Sequence, residues 1–163
     1  MVIRMIFVAV GTQKFPLNRL LKQIDDLVES GAISEPVFAQ IGNSDYRPRN
    51  YEYQQFLEKE EFDKKIEECS LLITHSGVGT IISGISSHKP VIVFPRLEKY
   101  GEHVDDHQKE IAESFSEMNY ILVCDENANL VDLIQEAKNH KFSVYVSQRK
   151  NMVKTVRDFL NKI

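Results

Sequence analysis

Apolar residues along this chain follow two alternating rhythms. Met5–Val10, Val37–Ile41, Leu71–Thr74, Pro90–Phe94 and Tyr120–Val123 are short, nearly unbroken apolar runs, the pattern of strands covered on both faces of a parallel sheet. Between them the apolar positions recur at helical spacing. Leu17, Leu20, Leu21, Ile24, Leu27 and Val28 follow Pro16 and stop at Gly31; Phe62 and Ile66 punctuate the charged stretch Glu58–Glu68; Ile81, Ile82 and Ile85 follow Thr80, which is expected to open its helix. His103–Glu117 and Leu130–Ala137 continue the series as two further helices. Strands alternating with helices imply right-handed crossovers, so the predicted fold class is α/β, a doubly wound, Rossmann-like parallel sheet.

In such a sheet, ligands gather outside the carboxyl ends of the strands. Gly11-Thr12, Gly42, the turn His75–Thr80 and Arg96 each follow a strand, so all are expected on that edge. The polar stretch from Gly42 through Pro48 to Asn50 reads as the longest connection. The final segment, about 145–162, carries Met152, Val153, Val156, Phe159, Leu160 and Ile163 on one helical face, with Arg149, Lys150, Lys154, Arg157 and Lys162 elsewhere. Two readings of this basic amphipathic helix stay open: packing on its own sheet, or docking on a partner and nearby anionic lipid.

Composition narrows the class. At 163 residues and 42% hydrophobic, the chain is expected to be a single domain, 1–163, with a core that needs no staples. A formal net charge of -4 disfavours a nucleic-acid partner, which would call for a basic face. Cys69 and Cys124 stand alone with no C-x-x-C spacing, as in a reducing, cytoplasmic setting. The apolar run near the N-terminus is too short to span a bilayer and lacks a small-residue cleavage site, so any membrane contact is expected to be peripheral or through a partner.

The candidate chemistry centres on His75-Ser76-Gly77-Val78-Gly79-Thr80, between a strand and a helix. Glycines there let the main chain approach a ligand, and Ser76 and Thr80 offer hydroxyls at the positive end of the helix, a setting suited to an anion. The turn is not a Walker A loop, because no lysine follows the second glycine. Nor does it complete G-x-G-x-x-G, since Ile82 stands where the third glycine belongs. A tight turn without a ligand remains the plain alternative. His75 is open in the same way, between a hydrogen-bonded core histidine and a contact to phosphate or sugar. His103 and His107 have the i,i+4 spacing of a metal pair, but Val104 replaces the glutamate that a zinc hydrolase carries after its first histidine. The plain reading of Glu102, Asp105 and Asp106 is a solvated acidic face at a helix start, where carboxylates complement the dipole.

Four stretches together, F-V-A-V-G-T, T-H-S-G-V-G-T, K-P-V-I-V-F-P-R and G-E-H-V-D-D-H-Q, resemble the C-terminal, nucleotide-sugar-binding half of family 28-type glycosyltransferases with the two-domain GT-B architecture. The chain is most similar to the stand-alone small subunits of that family. These serve bacterial capsule and exopolysaccharide β-1,4-galactosyltransferases and the eukaryotic UDP-GlcNAc transferase of dolichol-linked glycan assembly; P-R-x-x-x-x-G-E-H-x-x-D-H-Q points to the polysaccharide branch.

The resemblance implies a donor UDP-sugar site built from Gly11, Thr12, His75, Ser76, Gly77, Val78, Gly79, Thr80, Arg96, Glu102, His103, Asp106, His107 and Gln108, with no obligatory metal and no other cofactor. The His75–Thr80 turn corresponds to the diphosphate loop, Asp106 and Gln108 to the pair that touches sugar hydroxyls, and Phe56–Lys59 to the segment whose backbone reads uracil. Ser83 stands where many members carry a ribose-gripping glutamate. The implied function is inverting transfer of a hexose, galactose by this branch, to a lipid-linked glycan. The acceptor base would lie on a separate membrane-associated subunit that also holds this chain at the inner face of the membrane. Two alternatives are a non-catalytic enhancer of such a transferase and a dinucleotide-dependent oxidoreductase, which the missing third glycine disfavours.

Overall fold

The computed structural model describes residues 4–146 and residue 157. The basic amphipathic helix expected over 145–162 lies almost wholly outside the described residues. Six strands, β1 (Ile6–Ala9), β2 (Val37–Gln40), β3 (Glu52–Gln54), β4 (Leu71–Thr74), β5 (Val91–Val93) and β6 (Leu122–Val123), form one sheet in the order β3-β2-β1-β4-β5-β6. Every pairing is parallel. The helices between them are α1 (Asn18–Glu29), α2 (Lys59–Glu68), α3 (Val78–Ser86), α4 (His107–Glu117) and α5 (Leu130–Asn139). The doubly wound parallel sheet expected from the apolar rhythm is therefore present.

The unbroken apolar runs have a direct cause. Along β1, Ile6 and Val8 enter a core with Leu20, Leu21 and Ile24 of α1 and Leu130 and Ile134 of α5. Phe7 and Ala9 enter a second core with Ile66 of α2, Ile81 and Ile85 of α3 and Ile111 and Phe115 of α4. Successive side chains point to opposite faces of a strand, and both faces are covered, so no position on β1 can be polar. Each fully buried Leu, Ile or Phe contributes about 1.5–3 kcal/mol. Gly84 sets how closely α3 can lie on the sheet, since a Cβ there would come within 2.7 Å of Leu72 Cδ2 and 2.8 Å of Val91 Cγ2. On α5, Asn129 caps the first turn by accepting from the Asp132 amide at 3.2 Å.

Three expectations need correction. The polar connection after β2 ends in a short strand, β3, whose residues are all exposed because it is the sheet edge, so no apolar rhythm marked it. Within that connection, buried Asp25 of α1 accepts from Tyr46 Oη at 2.6 Å and from the amides of Arg49 and Asn50 at 2.9 Å each. Helix α3 opens at Val78, two residues before Thr80. Helix α4 opens at His107 and not at His103; Glu98–Tyr100 form a 3₁₀ turn and residues 101–106 an irregular loop. His103 and His107 therefore do not share a helix.

Candidate functional site

Strand register brings the predicted residues to one edge. Ala9 pairs with Gln40 and with Thr74, and Thr74 pairs with Val93, so the chain leaves the sheet at Val10, Ile41, His75 and Phe94 side by side. The strand order reverses between β1 and β4, the position where open α/β sheets form a crevice. Gly11, with φ +79°, and the His75–Thr80 turn lie at that switch point.

His75 is its centre, 4% exposed. The ring edge carrying Nε2 fits against two glycines: a Cβ at Gly77 would lie 2.6 Å from Nε2 and 2.7 Å from Cε1, and a Cβ at Gly11 would collide with the same atoms. Gly77 has an ordinary extended φ of -80°, so its smallness makes room for the imidazole and its backbone freedom is not used. A Cβ at Gly79 would meet nothing within 4 Å. Of the two glycines in the turn, Gly79 is the one whose surface is open to a ligand.

Nδ1 of His75 lies 3.2 Å from Gln108 Nε2 and 3.4 Å from Arg96 Nε. Burial first, then the Arg96 cation, push its pKa down to about 3, so the ring is neutral at physiological pH. Gln108 is buried at the start of α4, and its Oε1 accepts from the amides of Ser76 at 3.2 Å and Arg96 at 3.1 Å. Asp106 is exposed, and its Oδ1 accepts from the Glu98 amide at 2.9 Å.

Arg96, expected to face the ligand, is only 1% exposed. Its Nη1 donates to the carbonyls of Phe15 (2.8 Å), Pro16 (3.3 Å) and Glu102 (3.3 Å), and its Nη2 donates to the carbonyl of Val10. The guanidinium thus ties the loop after β1 to the loop after β5. It is a buried positive charge beneath the crevice, its pKa lowered to about 10 by burial. Glu102 is buried too and commits its carboxylate within the protein, accepting from Arg19 Nε at 3.0 Å, Arg19 Nη2 at 2.9 Å and the Leu97 amide at 3.0 Å. His103 Nδ1 and His107 Nδ1 each lie 3.1 Å from a different oxygen of Asp105. Thr12 is exposed at the rim, with its carbonyl 3.4 Å from Asn43 Nδ2.

At the N-terminus of α3 the amide of Ile81 bonds back to the Gly77 carbonyl, and the amides of Val78, Gly79 and Thr80 precede the first intrahelical bond. Beside them the Oγ of Ser76 is buried without a hydrogen-bond partner among the described residues. A buried hydroxyl left unpaired costs about 1–3 kcal/mol, and Ser76 directly precedes in the chain the turn whose first amides have no partner among the described residues. The hydroxyl of Ser83 donates to the Gly79 carbonyl at 3.0 Å within α3. Phe56, in the segment aligned with uracil recognition, is 46% exposed, and the Leu57 amide donates to Gln40 Oε1 at 2.8 Å. Sequence reasoning missed Arg19: its guanidinium lies between the Phe94 and Tyr100 rings, at 4.3 and 4.7 Å from their centroids, and only a fold could bring it there.

Residues 5–163 match the glycosyltransferase family 28 C-terminal domain. The chain belongs to that family. Over 60 residues it is 38% identical to the UDP-N-acetylglucosamine transferase subunit ALG13 of Candida albicans, a stretch covering 37% of this chain and 19% of that protein. The solution structure of ALG13 superposes with a TM-score of 0.61 at 17% identity, covering 93% of this chain and 94% of that one. The calicheamicin glycosyltransferase CalG4 gives 0.63 at 14% identity, with 86% of this chain covering 35% of it. The matched stretch thus covers about a fifth of the curated relative, the chain covers about a third of CalG4, and its sheet is that of one half of a GT-B glycosyltransferase. Among the described residues, no helix of this family 28 domain is long and apolar enough to cross a membrane.

Proposed function

We propose that this chain is the donor-binding half of a two-component inverting glycosyltransferase. It would take a UDP-hexose, galactose by the branch its motifs resemble, and act with a membrane-associated acceptor-binding subunit on a lipid-linked glycan in capsule or exopolysaccharide synthesis. The observation that carries this reading is the unpaired Ser76 Oγ beside the free amides of Val78, Gly79 and Thr80, at the switch point of the sheet.

The chemistry follows from that placement. The acceptor hydroxyl oxygen bonds to the anomeric carbon while the bond from that carbon to the diphosphate oxygen breaks, which inverts the configuration. UDP departs with the electron pair, and the hydroxyl proton passes to a base on the partner half. The charge growing on the diphosphate is met by the α3 amides and the helix dipole, with the buried Arg96 cation behind them, so no metal is needed to hold it. Asp106, exposed at the start of α4, is the side chain offered to the sugar. The relative's name describes a subunit of a UDP-sugar transferase, which supports both a UDP-sugar donor and a partner. Through that partner the chain would work at the inner face of the membrane.

Calorimetry on the chain with UDP, UDP-galactose, UDP-N-acetylglucosamine and NAD, each with magnesium and with EDTA, tests the reading. UDP should bind equally in EDTA and NAD should not bind. Binding that requires a divalent metal, or binding of NAD alone, would overturn it, and a preference for UDP-N-acetylglucosamine would move the chain out of the galactose branch. A second reading, a non-catalytic enhancer of the partner, draws on Ser83, whose hydroxyl is engaged within α3 and so leaves the ribose without that grip. In that case a chain unable to bind UDP would still restore full transfer to the partner.

A further inference from the structure

The buried polar cluster around His75 holds more order than a diphosphate loop requires. Gln108 Oε1 receives two main-chain amides, those of Ser76 and Arg96, at 3.2 and 3.1 Å. The reversed amide would set an NH₂ group against two N–H donors, so the orientation of this side chain is fixed by chemistry. Gln108 Nε2 must then face His75 Nδ1, 3.2 Å away, and Arg96 Nε faces the same atom at 3.4 Å. Both nitrogens can only donate. Nδ1 must therefore present its lone pair, and the ring's single proton sits on Nε2.

Nε2 is the atom that abuts Gly11 and Gly77 at the crevice, and among the described residues it makes no hydrogen bond. We propose that Gln108 and Arg96 lock His75 into the Nε2–H tautomer, making it a neutral, fixed hydrogen-bond donor to an anionic acceptor at the glycine turn. Gln108 thereby acts on the ligand through His75, as a positioning residue. This rests on the anion-binding reading of the turn and departs from a sugar-contact role for Gln108, whose oxygen is already taken by two amides.

The surroundings keep the lock shut against acid. An imidazolium would direct its Nδ1–H at two donors. The charged and titratable groups that act on the ring are Arg96 from the loop after β5 and His103 from the loop before α4; Glu102 acts on Arg96, and its carboxylate is committed to Arg19. Among the described residues no carboxylate acts to favour protonation of His75. A neutral donor also spares the empty site a second buried positive charge, which is costly to desolvate when no anion is there to pair with it.

Nitrogen-15 NMR of imidazole-labelled full-length chain, with and without a UDP-sugar, tests the proposal, since a UDP-sugar's diphosphate does not itself titrate near neutrality. His75 should show an unprotonated Nδ1 and a protonated Nε2, unchanged from pH 7.5 to 5.5, and the affinity for UDP-galactose or UDP-N-acetylglucosamine, whichever binds more tightly, should be flat over that range. Gln108→Glu keeps an oxygen for the Ser76 and Arg96 amides but offers Nδ1 an acceptor. Its His75 should carry a proton on Nδ1, so that Nε2 loses its proton as pH rises through the histidine pKa. UDP-sugar affinity should then fall on the order of tenfold between pH 5.5 and 7.5, the loss of one charge-assisted hydrogen bond. Gln108→Leu should give mixed tautomers and weaker binding. A protonated Nδ1 in the native chain, or a flat pH profile in a folded Gln108→Glu variant, would overturn the lock. An intact tautomer with no UDP-sugar binding at any pH would instead overturn the anion-site reading and, with it, the donor role.

Discussion

Glu102 stands 83 residues beyond Arg19, yet its carboxylate receives both Nε and Nη2 of that arginine, at 3.0 and 2.9 Å. The pair joins α1 to the loop before α4, and its carboxylate side is almost fully buried. Breaking such a pair from one side strands a buried charge. Arg19→Leu should lower stability by about 3 kcal/mol, while Glu102→Gln, which keeps an acceptor for the Leu97 amide, should cost about 1–2 kcal/mol. In urea denaturation the double variant should lose clearly less than the two single losses combined; strict additivity would mean the pair is not coupled.

Gly77 and Gly79 separate two uses of glycine in one turn. Gly77→Ala puts a methyl group 2.6 Å from His75 Nε2 and should both destabilise the fold and weaken UDP binding. Gly79→Ala has open space and lies in the first turn of α3, so stability should hold or rise by up to about 1 kcal/mol. If a diphosphate approaches the backbone there, UDP affinity should nonetheless fall. Thermal melts with and without UDP read both quantities, and a Gly79→Ala chain that binds UDP normally would place the ligand elsewhere.

What could be read in advance divides along physical lines. Strands buried on both faces and helices with one apolar face leave strong periodic signals, so β1, β2, β4 and α1 were legible to within a residue or two. β3 left none, because an exposed edge strand needs no apolar alternation. The start of α4 was misplaced because Glu102 and His103 look like an acidic helix start, whereas Glu102 is committed to Arg19. That the site residues gather at one edge of the sheet was legible, since sheet topology alone sends strand ends there. Their division of labour was not: that Arg96 holds carbonyls and Gln108 holds amides depends on atoms brought together from the turns after β1, β4 and β5.

His75 also makes the fold sensitive to acid. Its folded pKa of about 3 lies below the ordinary value of 6.5, so between those limits the unfolded chain binds a proton that the folded chain does not. Its stabilising contribution is therefore complete above about pH 6.5 and is lost as pH falls toward 3, with a slope of at most about 1.4 kcal/mol per pH unit. Urea denaturation at pH 7, 6, 5 and 4 should show a decline that is shallower in His75→Gln. Identical slopes in the two proteins would mean that His75 is protonated in the folded state as readily as in the unfolded one.

Arg96 offers the sharpest contrast between an expected and an observed role. A guanidinium that gripped the diphosphate directly would leave the empty protein unharmed when removed and would cost mainly UDP affinity. The observed guanidinium instead donates to the carbonyls of Val10, Phe15, Pro16 and Glu102. Arg96→Met leaves those buried acceptors unpaired, at about 1–3 kcal/mol for each one that water cannot reach, so a loss of at least about 3 kcal/mol is expected. Arg96→Lys keeps the charge but cannot span carbonyls on both loops, and should recover less than half of that loss. Amide exchange should then accelerate in residues 11–17, the loop that the arginine holds against β5. For whatever fraction remains folded, UDP affinity in Arg96→Lys should fall by less than tenfold, because the charge still lies beneath the turn and the α3 amides are untouched. A fully stable Arg96→Met protein that no longer binds UDP would restore the direct-contact role and remove the structural one.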